Sequence, residues 1–202
     1  GGVLIITALT ATAAYAERFG GPKEGEGFLP YLQRVSAGLT RDDWQRTADL
    51  LNDRGGKLRA EGLRLGYHNH NQEFAPLGNT TGFDLLLSGT SADAVSFELD
   101  VGWVAAAGVD PVALLKRHGR RFQLMHVKDI KPSTKSNFAL QQDPTEVGSG
   151  KLPWPTLLPA AFNAGVRKFY VEQEPPFSMD RFAAIEKSLA FLKAFDDGVV
   201  KL

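Results

Sequence analysis

Five short apolar runs recur along the chain, separated by segments long enough for a helix. That alternation constrains the fold more than any other feature. Strands joined by helix-length connections pair in parallel, because a parallel crossover needs a dozen or so residues. The runs are Val3 to Ala8, Leu63 to His70, Val95 to Asp100, Phe122 to Lys128 and Lys168 to Glu174. Two closures satisfy the pattern, a doubly wound open sheet or a β/α barrel. No G-x-G-x-x-G motif follows a strand, which argues against a dinucleotide-binding sheet. A complete β/α barrel has eight strands in roughly 250 residues. The 202 residues therefore read as one α/β domain, residues 1–202, a parallel TIM-type barrel lacking about its first three units.

The segments between the runs carry helix signals. Thr40 stands three residues before Asp43, the spacing of a capping box, and Trp44, Ala48, Leu51 and Leu58 follow at helical spacing. Gly55-Gly56 is expected to weaken that helix. Asp110-Pro111 is an N-cap followed by proline at the first helical position, and Gly119 ends the helix. Pro155 opens another helix that Gly165 closes. Phe182, Ile185, Leu189 and Leu192 form an apolar stripe expected to pack a last helix against the sheet. Residues 20–40 and 131–150 read as long loops. The N-terminal run ends Ala14-Tyr15-Ala16, like a signal-peptide cleavage site, but no Lys or Arg precedes it and it is too short to span a bilayer. A buried strand is the better reading, and the missing initiator Met is what a fragment or a processed chain shows.

Each later run ends in polar groups: Tyr67-His68-Asn69-His70, Glu98-Leu99-Asp100, His126-Val127-Lys128 and Glu172-Gln173-Glu174. Strand alternation places Glu98 with Asp100, His126 with Lys128, and Glu172 with Glu174 on one face each. In either closure, ligands bind at the carboxyl ends of the strands. Many ionisable groups converging there are costly without a cation, and a divalent metal is the simplest compensation. Composition narrows the donors. Cysteine is absent, so thiolate catalysis and Cys-ligated metals are excluded, and only four His are present. Lys+Arg and Asp+Glu are both 23, which argues against a general nucleic-acid or anionic-membrane binder. One strand-end His or Glu alone is more often a hydrogen-bonded core residue or a salt-bridge partner. Four successive ends of this kind would need independent coincidences. His118 lies among Lys116, Arg117, Arg120 and Arg121 and suits a solvated helix end, and Trp44 suits helix packing.

The segments YHNHNQEF, FELDVGW, HVKD, EVGSGKLPW and YVEQE, in that order, resemble the sugar phosphate isomerase/epimerase family of the xylose isomerase-like TIM barrels, over roughly residues 30 to 195. The resemblance implies one divalent cation, manganese above all, with zinc, magnesium or cobalt as alternatives. It would be held through Glu, Asp, His and Glu at the last four strand ends. Asp100 matches the Asp, His126 the His and Glu172 the final Glu, with Glu174 as alternative. The first Glu is the departure, and His68 or His70 would stand in. Glu73 resembles an acidic residue that contacts substrate, and His70 and Trp103 are expected beside it.

The implied chemistry is proton removal next to a sugar carbonyl, with the cation polarising C=O and stabilising the enediolate. Glu172 or Glu174 would be the carboxylate base, assisted by His68 or Lys128, unless Glu174 only ion-pairs with a neighbouring cation. Returning the proton isomerises or epimerises, and expelling a β-hydroxyl makes a dehydratase or lyase. Two other readings compete: a metal-assisted phosphodiester hydrolase, which wants more His ligands, and a non-catalytic sugar-binding barrel. A small-molecule sugar is the expected partner, with no nucleic acid or membrane and with self-association compatible. The expected compartment is the cytoplasm, with the periplasm as alternative.

Overall fold

The computed structural model describes residues 2–6 and 13–195. They gather into two compact units. The first runs to Ser96 and includes Phe138–Leu140, and the second comprises Phe97–Asn137 and the residues from Gln141 onward.

In the first unit, β1 (Val3–Ile6) pairs in parallel with β2 (Arg64–His68), with Val3 opposite Arg64 and Ile6 opposite Tyr67. Thr7 and Ala8, expected to extend β1, lie outside the described residues. Three helices precede β2: α1 (Ala13–Phe19), α2 (Phe28–Ala37) and α3 (Arg41–Ala60). The capping box forms: Asp43 N–H donates to Thr40 Oγ1 at 3.4 Å, and Asp43 Oδ2 accepts from Thr40 N–H at 2.7 Å. Trp44, Ala48, Leu51 and Gly55 follow on the buried side of α3.

Two expectations need correction here. Helix α3 runs unbroken through Gly55-Gly56. A Cβ at Gly55 would lie 2.3 Å from the Ala94 carbonyl oxygen, so this glycine permits a close approach that any larger residue would block, against a propensity cost of about 1 kcal/mol. Residues 20–40 are also not all loop, since Phe28–Ala37 is helical. Pro30 sits in its first turn, where amide N–H groups have no intrahelical partner to lose. Arg34 anchors the preceding loop through Glu26 at 2.7 Å and the Phe19 carbonyl at 2.9 Å. After β2, α4 (Gly82–Gly89) packs on α3, and a Cβ at Gly82 would strike the Trp44 ring.

In the second unit, β3 (Val95–Asp100, from Phe97 onward), β4 (Phe122–Val127) and β5 (Lys168–Val171) are parallel neighbours in chain order. Asp100 pairs with His126, and His126 with Tyr170. The connections hold α5 (Val101–Ala106), α6 (Pro111–His118) and α7 (Trp154–Ala164), with α8 (Arg181–Phe195) last. Asp110 caps α6, its Oδ1 accepting from Val112 N–H at 2.8 Å. Gly165 ends α7 at φ +113°. Phe97, Leu99, Phe122, Met125, Leu115, Trp154 and Leu157 are buried around these strands.

Of the stripe expected to bury α8, only Leu192 is buried. Phe182, Ile185 and Leu189 are 77%, 56% and 46% exposed, and the buried seam is Ala184, Ser188 and Leu192. Ser188 Oγ accepts from Val147 N–H at 3.1 Å, and the Phe191 ring lies where a Cβ on Gly148 would be. Small residues let α8 meet the Val147–Gly148 turn closely, and that contact selects the helix face. No described helix is long and apolar enough to cross a membrane.

Candidate active site

Parallel pairing brings the carboxyl ends of β3, β4 and β5 side by side in the second unit, and their polar side chains meet. Asp100 ends β3 and begins α5: its Oδ1 accepts from Trp103 N–H at 3.0 Å. That cap fixes the carboxylate and leaves Oδ2 facing His126 Nδ1 at 3.7 Å and Lys128 Nζ at 3.0 Å. Glu98, two residues earlier on the same face, has Oε2 3.3 Å from His126 Nε2. Beyond the end of β5, Glu172 Oε2 lies 2.5 Å from His126 Nδ1 and 3.0 Å from Lys128 Nζ. Glu174 Oε1 is 3.3 Å from the same ammonium, and its Oε2 accepts from Gln142 Nε2.

Lys128 is fully buried. A Cβ on Gly102 would come within 2.6 Å of Lys128 Cγ, so the glycine of FELDVGW makes room for the lysine stem of HVKD. The Trp103 ring lies 5.0 Å from Nζ, a cation–π contact that walls off the ammonium.

Charge sets the protonation states. Burial pulls the His126 pKa down, but Glu172, Glu98 and Asp100 outweigh it and raise the imidazole to about 9. Burial likewise disfavours a charged Lys128, yet Asp100, Glu174 and Glu172 hold it above the usual lysine value. For Glu172, burial pushes upward, but His126 and Lys128 keep the carboxyl well below the ordinary range.

A single cation with ligands at ~2.1 Å needs donor atoms about 3 Å apart. His126 Nδ1 meets that spacing with Glu172 Oε2 and approaches it with Asp100 Oδ2. Its other nitrogen faces Glu98, the carboxylate–histidine arrangement that orients a ligating imidazole. The donor set of one imidazole and hard carboxylate oxygens suits manganese or zinc. These residues fit the group.

His68 and His70 belong to the first unit, at the end of β2, with their rings edge-to-face and centroids 5.1 Å apart. Their share in a metal site is an expectation from their strand-end position and from the family resemblance. Glu73, expected to contact substrate, is instead fully buried. It accepts from Tyr67 O–H at 2.8 Å and His70 N–H at 3.0 Å. Burial raises its pKa to about 7, and it braces the YHNH turn from inside.

Sequence reasoning assigned no role to four other residues. Glu98 orients His126, and Gln142 holds Glu174. Asp129 is a hub. Its Oδ1 accepts from Ile130 N–H at 2.9 Å and Leu152 N–H at 3.3 Å; its Oδ2 accepts from Gly148 N–H at 3.0 Å, Gly150 N–H at 3.1 Å and Trp154 Nε1–H at 2.7 Å. The Asp of HVKD therefore folds the VGSGKLPW loop. Glu146 ties Ser178 Oγ at 3.1 Å, Lys187 Nζ at 3.2 Å and Gln173 Nε2 at 3.4 Å, steadying the segment that carries Glu172 and Glu174. The motifs signalled these places, but not their partners.

A family model described as xylose isomerase-like TIM barrel matches residues 6–195. Among curated proteins, an inosose dehydratase of Lacticaseibacillus casei is 32% identical over 93 residues, 46% of this chain and 30% of that protein. The match thus spans under a third of that relative. Two crystal structures of sugar phosphate isomerase/epimerases from Parabacteroides distasonis share the fold. One is 25% identical with a TM-score of 0.66, covering 80% of this chain and 56% of that one. The other is 24% identical with a TM-score of 0.71, covering 99% and 72%.

Proposed function

The chain belongs to the xylose isomerase-like TIM barrel family, and we propose that it serves a metal-dependent isomerase or epimerase of a sugar or keto-sugar, working by proton transfer next to a carbonyl. The observation that carries this reading is the meeting of Asp100, His126, Lys128, Glu172 and Glu174 at three adjacent strand ends.

Asp100, His126 and Glu172 would hold the cation. When bound, a divalent ion there supplies Lewis-acid polarisation of the substrate C=O and acidifies the neighbouring C–H. Glu172 is a poor proton acceptor, because its carboxyl is held so far down, and that suits a ligand. Glu174 is the base. It is partly exposed, so substrate can reach it, and Gln142 and Lys128 fix its orientation. The Lys128 ammonium, beside the base, stabilises negative charge developing on the substrate oxygen.

Dehydration is the second reading, favoured by the likeness to inosose dehydratases and by the ammonium beside the base, which can protonate a departing hydroxyl. The deciding experiment incubates the Mn2+-loaded protein with keto-sugars and inososes in D2O. Deuterium uptake with a rearranged or inverted carbon supports isomerisation or epimerisation. Loss of water, with enone absorbance, supports the dehydratase. Neither product with any member of the panel refutes catalysis of this class. Glu172→Gln should release metal, whereas Glu174→Gln should keep metal and lose ~10²–10⁴ in turnover.

A further inference from the structure

The two carboxylate oxygens assigned to the metal are already engaged. Asp100 Oδ2 and Glu172 Oε2 each lie 3.0 Å from Lys128 Nζ, and Glu174 Oε1 lies 3.3 Å away on a third side. A surface lysine could swing aside, but this one is fully buried. Its stem passes Gly102 where no larger residue fits, and its head lies over the Trp103 ring. The fold therefore builds a fixed monovalent cation into the carboxylate cluster.

We infer that Lys128 is a resident counter-cation that competes with the divalent ion for Asp100 and Glu172, and so sets how tightly the site holds metal. The inference rests on the metal reading above. A donor set of two carboxylates and an imidazole would otherwise bind tightly. The ammonium opposes entry twice: it repels the arriving dication, and it must yield its contacts to two of the three carboxylates. Glu174, the third, is not a proposed ligand and gives Lys128 a place to remain when the ion binds. The same residue then keeps the isolated cluster stable when no metal is present, because it neutralises part of its charge.

The test is titration of the metal-stripped 202-residue chain with MnCl2 by calorimetry, beside Lys128→Met, Lys128→Gln and Lys128→Arg, each checked for folding by circular dichroism. Both neutral variants should bind Mn2+ about tenfold or more tighter than the unsubstituted chain, while Lys128→Arg stays within about threefold. Lys128→Gln retains N–H donors for Asp100 and serves if the methionine variant does not fold. In the unsubstituted chain, saturating Zn2+ should shift the Lys128 side-chain 15N resonance. Equal or weaker Mn2+ binding by the neutral variants overturns the competition and leaves the metal reading standing; an unmoved resonance does the same. No binding by any protein overturns both.

Discussion

Replacing Asp129 by Asn tests the hub that folds the VGSGKLPW loop. The carboxylate accepts five hydrogen bonds, and an amide can accept at only one of its two ends. The less costly orientation puts the new NH2 where Oδ1 was, facing the Ile130 and Leu152 N–H groups, and keeps the oxygen for Gly148, Gly150 and Trp154. Two buried donors then lose their acceptor at ~1–3 kcal/mol each, and three charge-assisted bonds become neutral at a loss of roughly 1 kcal/mol each. The sum is about 5 kcal/mol or more, comparable to the stability of a small domain. The loop can open locally first, which caps the measured loss at the free energy of its release. Urea denaturation should show a loss of at least ~3 kcal/mol. Hydrogen exchange should show residues 146–154 unprotected, and emission from the buried Trp154 should move to the red. A variant within ~1 kcal/mol of the parent, with unchanged exchange in this loop, would refute the assignment of Asp129 as its anchor.

Three further outcomes are expected. Glu73 binds its proton more tightly folded, with a pKa of about 7 against an ordinary 4.5, so it contributes stability at low pH that is lost as pH rises from 4.5 to about 7. The loss is roughly 3 kcal/mol, and Glu73→Gln should flatten the stability–pH curve across that window; an unchanged slope in the variant sinks the idea. His126, raised to about 9, must shed its proton to ligate, so metal binding at neutral pH should release about one proton and strengthen with pH up to about 9. Calorimetry in buffers of different ionisation enthalpy reads this, and zero proton release contradicts it. Gly55→Ala should destabilise despite the better helix former, by roughly 1–3 kcal/mol, because its Cβ would collide with the Ala94 carbonyl. A thermal melt at or above the parent's would mean the backbone yields there.

Much of the fold was legible because it depends on local periodicity. The five apolar runs, the Thr40 box, the Asp110 cap and the Gly165 stop each follow from a few adjacent residues, and each appears in the structure. The clustered polar groups were legible too, since polar residues stand out at the ends of apolar strands. Local patterns failed where distant segments compete. The apolar stripe of α8, apart from Leu192, stays exposed, because Ser188 Oγ takes the Val147 N–H and the Phe191 ring sits against Gly148, which turns a different face inward. Gly55 looked like a flaw in a helix, and is a contact with Ala94.

What the sequence determined by itself is therefore which groups stand at the strand ends, because alternation along one strand is a local rule. Only the tertiary structure decided what each does, because that depends on register between strands and on burial. The Asp100–His126 register puts a carboxylate and an imidazole together. Burial with Tyr67 and His70 turns Glu73 from a substrate contact into a brace, and the space left by Gly102 carries Lys128 into the centre of the carboxylates. Three letters of HVKD thus meet three different surroundings: His126 lies between Glu98 and Glu172, Lys128 among Asp100, Glu172 and Glu174, and Asp129 under the loop amides. Each is fixed by partners 19 to 46 residues away in the chain, at distances no single-strand pattern encodes.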